Sequence, residues 1–307
     1  MTLAAGRPTL AVLITYYNEG PLLAECLESL RRQEEEPDEV WILDGGSSIP
    51  AKPFVSDRYT SQLLRNESNL GPSFARNFLA KHSQAEYVHF QDADDLFLPG
   101  FVSRIRSSIA DRGPDLVLNQ VSVDHPGAAR IHARSALADV SSDLLGYLLG
   151  QGASTQMLTF RRRALLDAGG FDEELWHRED AEIAIRMAAG GAVARVIEEP
   201  LVAIRMRGGS HSGASVQAAR HALIAAKKIS AYIPSQYRQF VAEALAEVGL
   251  RFYAMNMPGE GDAAMRLAQS HGRPSFRHMS RIFRVASQLL GARRAVALRT
   301  WMGGHKK

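Results

Sequence analysis

The chain has 307 residues, 46% of them hydrophobic, a globular composition with enough apolar material for one large α/β domain plus an appendage, or for two domains. With 36 Lys and Arg against 33 Asp and Glu, the formal charge of +3 is too small for a nucleic-acid binder as a whole. The single cysteine, Cys26, excludes an intramolecular disulfide and argues against a thiolate metal site. Residues 1–8 lack a basic segment followed by an apolar core of signal-peptide length. No run approaches the ~20 apolar residues that span a bilayer. The expectation is a cytoplasmic protein, with peripheral attachment at the inner face of the membrane left open.

Leu10-Ala11-Val12-Leu13-Ile14 is a continuous apolar run, as expected of a central strand buried on both faces. Pro21 to Arg32 places Leu22, Leu23, Cys26, Leu27 and Leu30 at helical spacing, with Pro21 where a first turn tolerates it. The same spacing makes Cys26 a small buried side chain. Glu39-Val40-Trp41-Ile42-Leu43 is a second strand, ended by the loop Asp44-Gly45-Gly46-Ser47-Ser48. Gln62 to Arg65 is a short third strand, Ser73 to His82 a helix, and Tyr87-Val88-His89-Phe90 a fourth strand. This rhythm predicts a doubly wound, mainly parallel sheet. Further strands are expected at Asp115–Asn119 and Ala192–Ile197, and helices at Arg161–Ala168 and Glu179–Ala189. From about Val216 the pattern is helical only, over His221–Ile229, Tyr237–Val248 and Ile282–Leu298. The change of class near residue 212 divides the chain into 1–212 and 213–307.

Asp92-Ala93-Asp94-Asp95 follows the fourth strand directly. Three carboxylates within four residues repel one another, so gathering them makes sense beside a positive charge. The carboxyl ends of strands are where open α/β sheets bind ligands. Oxygen ligands suit Mg²⁺ or Mn²⁺, which commonly bridge carboxylates to substrate phosphates. The competing reading is a solvated acidic turn that caps the next helix.

The ordered set Leu13-Ile14-Thr15-Tyr16-Tyr17-Asn18-Glu19, Asp44-Gly45-Gly46-Ser47, Asn69-Leu70-Gly71, Arg76-Asn77, Asp92-Ala93-Asp94-Asp95, Gly169-Gly170-Phe171-Asp172-Glu173 and Glu179-Asp180 resembles the family 2 glycosyltransferases. These are inverting enzymes with a GT-A, Rossmann-like nucleotide-diphosphosugar fold. The resemblance runs from about Pro8 to Arg207. It implies a GT-A α/β domain followed by an all-helical C-terminal appendage, and transfer of a sugar from a nucleotide-diphosphosugar, usually a UDP-sugar. The acceptor would be a saccharide, a lipid-linked or another hydroxyl.

On that resemblance Thr15, Tyr17 and Asp44 read the base. An ionised Asp44 suits a uracil N–H, while strand-end packing and a turn bonding its own backbone are the plainer readings. Glu19, Asn69, Gly71 and Ala93 fall in the same donor pocket. Arg76 reaches a phosphate or the base edge, or is a surface arginine. Asp94 becomes the direct ligand of Mn²⁺ or Mg²⁺, Asp92 contacts ribose or metal-bound water, and Asp95 caps a helix. Asp180 is the base that takes the acceptor proton, with Glu179 orienting the acceptor or the helix start. An acidic first helical turn explains the same pair without chemistry. Trp176 lines the acceptor site or the rim. Where the family often has a histidine two residues after an arginine, this chain has Arg207, suited to bidentate phosphate contact. His211 is then a third metal ligand or an ordinary loop histidine. The two glycines between them suit a mobile lid.

From Arg273 to Lys307 there are nine Lys and Arg and no Asp or Glu. This segment suits an anionic membrane surface or simple packing with solvated arginines; no aromatic-rich platform supports nucleic-acid binding. Two rivals to the glycosyltransferase reading remain, one of them another class of enzyme. A nucleotidyltransferase would carry a Gly-rich basic loop after the first strand, which Thr15 to Glu19 is not. A non-catalytic sugar-nucleotide module would have no use for both Asp94 and Asp180.

Overall fold

The structure of the chain, a computed structural model, describes residues 6–124, 131–133, 140, 143–206, 215–276 and 280–297, apart from the side chains of residues 60, 61, 131–133, 288 and 289. The chain divides into two compact units, Met1–Ser210 and His211–Lys307.

The first unit is built on a nine-stranded sheet. Its strands are β1 (Leu10–Tyr16), β2 (Glu39–Asp44), β3 (Leu63–Arg65), β4 (Tyr87–Asp92), β5 (Leu96–Phe97), β6 (Leu116–Asp124), β7 (Ile131–Ala133), β8 (Leu158–Arg161) and β9 (Ala194–Arg205). The order is β3-β2-β1-β4-β8-β6-β9-β5, with β7 beside β6. Leu10 to Ile14 are fully buried, as a strand covered on both faces requires. Helix α1 (Leu22–Arg31) covers the sheet through Leu23, Cys26, Leu27 and Leu30. Cys26 is therefore core material, and its burial raises the thiol pKa far above the usual range.

The sheet is mixed rather than mainly parallel. β3, β2, β1 and β4 run parallel, whereas β8 is antiparallel to both β4 and β6. The four-residue β8 is too short to show a period, so the reversal leaves no mark in the sequence. The expected strand 192–197 continues as β9 to Arg205 because Glu198 and Glu199 bulge out of register. Pro200, which has no N–H to donate, sits at that irregularity.

Helices α2 (Pro72–His82), α3 (Phe101–Ile109), α4 (Leu144–Gln151), α5 (Arg162–Asp167) and α6 (Glu179–Ala189) complete the unit. The second unit contains α7 (Val216–Tyr232), α8 (Arg238–Ala254) and α9 (Pro258–His271), which pack through Ala219, Ala222, Val248, Phe252 and Ala264, and α10 (Arg281–Leu290). The sequence reading missed α9, whose first turn, Pro258-Gly259-Glu260-Gly261, looks like a loop. Gly261 is required there, since a Cβ would lie 2.4 Å from the Tyr253 ring. The helix expected over 282–298 is interrupted by Gly291 at φ +81°, and residue 298 lies outside the described residues. Among the described residues no helix is long and apolar enough to cross a membrane.

Candidate active site

The parallel strands deliver their ends to one edge of the sheet. Tyr16 pairs with Asp44, and Thr15 pairs with Asp92, whose Oδ1 accepts the threonine hydroxyl at 3.3 Å. Tyr17 leaves β1 with its ring 45% exposed beside Gly45. Glu19 folds back so that its Oε2 accepts the Tyr17 amide at 2.5 Å. Burial, followed by the charges of Asp94 and Asp92, raises Glu19 to about 7 against the pull of that amide.

Asp44 does not point into open space. It is 1% exposed, and its oxygens accept from the amides of Ser47 (2.8 Å) and Ala51 (2.9 Å) and from the Arg65 guanidinium. Burial alone would raise its pKa, but these donors outweigh it and hold the carboxyl below its ordinary value. The side chain thus organises the loop after β2. That leaves Asp44 a structural task that the sequence reading gave only as an alternative to reading a base.

Asn69 Oδ1 accepts the Gly71 amide at 2.9 Å and turns the chain into α2. Gly71 sits at φ +89°, and a Cβ there would come within 2.9 Å of the Trp176 indole. The glycine is needed both for its backbone angle and for the close approach of that ring.

The carboxylates of Asp92, Asp94 and Asp95 offer oxygen atoms that all lie within 4.8 Å of one another. Ala93, buried between Asp92 and Asp94, donates its amide to Thr15 O at 3.1 Å. Gln156 Nε2 donates to both Asp92 Oδ2 (2.7 Å) and Asp95 Oδ2 (2.8 Å). Arg205 donates its amide to Asp95 Oδ1 at 2.9 Å, and its guanidinium contacts Asp94 O and Glu25. Asp95 is consequently no helix cap: α3 begins at Phe101, with Gly100 at its cap position. Burial, with the charges of Asp92 and Asp94 added, pushes Asp95 up to about 8. An all-oxygen donor set carrying this much unrelieved repulsion fits a hard divalent cation, which Asp94 and Asp92 could hold.

Helix α2 ties this cluster to the second carboxylate pair. Ser73 Oγ donates to Leu175 O at 2.8 Å. Asn77 brackets Phe171, giving Nδ2 to its carbonyl and taking its amide at Oδ1, both at 2.8 Å, and also reaches Glu173. Gly170 must be glycine here, because a Cβ would lie 2.5 Å from Asn77 Oδ1. Arg76 is buried, not superficial. One guanidinium nitrogen donates to Glu179 Oε1 at 2.6 Å and another to Asp92 Oδ1 at 3.1 Å, with the Phe171 ring 5.6 Å away. The expectation of a phosphate contact therefore meets a guanidinium already held by two carboxylates.

Glu179 and Asp180 begin α6. Asp180 is half-buried; its Oδ2 accepts the Thr155 amide at 3.2 Å and its Oδ1 the Ala181 amide at 2.7 Å. Burial and then the Glu179 charge raise its pKa well above the ordinary carboxylate range, against the opposing pull of Arg76. Arg207 and His211 lie outside the described residues.

Thr155 and Gln156 escaped sequence reasoning, and Arg205 entered it only as the arginine two residues before Arg207. Neither Thr155 nor Gln156 belongs to a motif with its own pattern, and the partners of Gln156 are 61 and 64 residues away. An uncharged amide in a short turn gives no signal of that distance.

A mixed α/β sheet with an acidic cluster at the carboxyl edge of its parallel strands defines a GT-A-type protein, and solved structures share the fold. TarS residues 1–349 of S. aureus, solved with UDP-GlcNAc, aligns with TM-score 0.69 at 18% identity over 96% of this chain and 92% of that one. The mannosyltransferase PcManGT of Pyrobaculum calidifontis, solved with GDP-Man and Mn²⁺, aligns with TM-score 0.59 at 22% identity, covering 97% and 84%. Among curated relatives, the succinoglycan biosynthesis protein ExoU of Rhizobium meliloti is 30% identical over 230 residues, 69% of this chain and 66% of its own. The uncharacterized glycosyltransferase YwdF of Bacillus subtilis is 31% identical over 101 residues, 33% of this chain and 38% of its own. The chain spans about two thirds (66%) of the length of ExoU and of a second relative, from Mycobacterium tuberculosis. The Glycosyl transferase family 2 description matches residues 11–167, just over half of the chain. The chain belongs to glycosyl transferase family 2.

Proposed function

We propose that this chain is a glycosyltransferase that moves a sugar from a nucleotide-diphosphosugar, in first place a UDP-sugar, to an acceptor hydroxyl with inversion. One observation carries the reading: the Arg76 guanidinium joins Asp92, in the acidic cluster, to Glu179, the neighbour of Asp180. The acidic cluster and the start of α6, which carries Asp180, are thereby tied together, which supports reading them as donor site and base.

Asp180 takes the proton of the acceptor hydroxyl as that oxygen bonds the anomeric carbon. The bond from that carbon to the diphosphate breaks, and the diphosphate departs with the electron pair on the opposite face. A raised pKa suits this role, because a base poised near neutrality both exists deprotonated and accepts a proton readily. Tyr17, Thr15 and the turn at Asn69-Gly71 would receive the base and ribose, with Asp44 shaping the loop beside them. Arg76 acts as a positioning residue, fixing Asp92 and Glu179. Asp94, with Asp92, would hold Mn²⁺ or Mg²⁺, which when bound supplies positive charge for the leaving diphosphate. The UDP-bound and UDP-GlcNAc-bound neighbours favour uracil, although another neighbour carries GDP-Man. The acceptor is a saccharide, lipid-linked or other hydroxyl.

Asp180→Asn tests the reading. It is expected to retain UDP binding by calorimetry and to lose transfer and UDP-sugar hydrolysis by a factor of ~10² to 10⁴. Turnover near that of the parent would remove Asp180 from the role of base.

A further inference from the structure

Helix α10 in the second unit displays an apolar face that the described structure leaves open. Ser280 caps its start, accepting the Phe283 amide at Oγ, and Gly291 ends it. At 100° per residue Ile282, Val285 and Leu290 fall within one apolar arc, opposite Arg284 and Ser287. Among the described aliphatic and aromatic side chains of that arc, Phe283 at its edge is the buried one, edge-on to Phe276 with ring centroids 5.9 Å apart. Ile282 is 69%, Val285 48% and Leu290 47% exposed. A helix that needed only to cover its own unit would turn these aliphatic side chains inward.

The segment that carries this face holds charge of a single sign. Arg281, at the start of α10, and Arg293 and Arg294, just beyond Gly291, are exposed. Residues 273–307 carry nine Lys and Arg and no Asp or Glu. A protein partner would have to match both an aliphatic strip and a one-signed field. An anionic bilayer does so without any specific fit: acyl chains take Ile282, Val285 and Leu290, while headgroup phosphates take the arginines. Neither signal suffices alone, since apolar insertion and electrostatic attraction are each marginal for one short helix.

We propose that α10 docks this protein on an anionic lipid surface, with Ile282 and Val285 inserted and Arg281, Arg293 and Arg294 at the headgroups. The inference goes beyond sugar transfer and does not depend on it.

The test is co-sedimentation of the full chain with vesicles of pure phosphatidylcholine or of phosphatidylcholine mixed with phosphatidylglycerol. Binding is expected to the anionic vesicles only and to fall with added salt, as screening shortens the reach of the arginines. Each arginine near such a surface contributes roughly fivefold, so Arg281→Gln/Arg293→Gln/Arg294→Gln should weaken binding about a hundredfold. Ile282→Asp/Val285→Asp changes two exposed positions, so it should keep the parent's circular dichroism yet lose at least ~10-fold in binding. The proposal is overturned if the parent ignores anionic vesicles, if it binds neutral ones equally, or if the aspartate pair binds like the parent. It is also overturned if ultracentrifugation shows a parent dimer that the aspartate pair dissolves, because the face then belongs to a second copy. UDP-sugar hydrolysis without vesicles should be unchanged in both variants, which separates failure of this proposal from failure of the transferase reading.

Discussion

The loops that follow β2 and β4 each bury an aspartate at the carboxyl edge of the sheet, and they treat its charge in opposite ways. Asp44 is 1% exposed and Asp95 2%. Two amides and Arg65 stabilise the Asp44 carboxylate, so its pKa falls in spite of burial. Asp95 has an amide from Arg205 and another from Gln156, yet burial and the neighbouring Asp92 and Asp94 push it up to about 8. Burial is common to both, so burial does not mark function. At the end of β2, the amides of Ser47 and Ala51 and the Arg65 guanidinium on β3 meet the charge of Asp44. The loop after β4 gathers three carboxylates, whose mutual repulsion a divalent cation would offset.

The largest expected effect is at Arg76, the cation that the fold itself provides to the second loop. Arg76→Met leaves Glu179 buried without its partner and Asp92 more strongly repelled. It should cost about 3–5 kcal/mol in urea unfolding, with activity lost even where the chain still folds. A loss below about 1 kcal/mol would mean that the acids after β4 need no cation from the fold, unlike Asp44 with Arg65.

Next comes the direct contrast between the aspartates, measured in the presence of a chelator. Asp44→Asn gives up a charge-assisted bond to Arg65 and should destabilise by about 1–3 kcal/mol. Asp95→Asn removes repulsion and should stay within about 0.5 kcal/mol of the parent, or be more stable. Equal losses would break the comparison. Their pH signatures should also oppose. A carboxyl lowered on folding contributes stability that is present above the unfolded value of 3.8 and lost as pH falls below it, which is the case for Asp44. A carboxyl raised to about 8 makes the folded state bind more protons between 3.8 and 8, so Asp95 removes stability as pH rises through that range. In metal-free buffer, the parent should therefore lose more stability than Asp95→Asn between pH 5 and about 8.

The smallest effect concerns the rim. Gly71→Ala strains a backbone at φ +89° and displaces the Trp176 indole, and should cost about 1 kcal/mol or more while weakening donor binding.

The sequence reading was strongest where periodicity and motif coincide. β1, β2, α1, α2 and α6 announce themselves through continuous apolar runs or helical spacing, and Asp92 to Asp95 follows from position at a strand end. The α/β class and the acidic motif were therefore legible, and the GT-A fold was what the resemblance to family 2 implied. The antiparallel side of the sheet was not legible, since β7 and β8 are only three and four residues long. Nor were the partners that decide each acid's behaviour. Asp44 and Asp95 look equivalent as letters, and they diverge because Ala51, Ser47 and Arg65 lower the one while burial with Asp92 and Asp94 raises the other against Arg205 and Gln156. Arg76 was read as a contact to a phosphate or the base edge, and its burial between Asp92 and Glu179, which depends on α6, 103 residues further on, was not legible.

The central claim is that the loop after β4 is completed by a divalent cation with the donor diphosphate. Calorimetric titration of UDP into the parent and into Asp94→Ala, each with Mn²⁺ and with chelator, tests it most directly. The account predicts binding by the parent that requires Mn²⁺, and a loss of at least ~10²-fold in Asp94→Ala with the metal present. Equal UDP affinity of the parent with and without Mn²⁺, or an Asp94→Ala that binds as tightly as the parent, would contradict it.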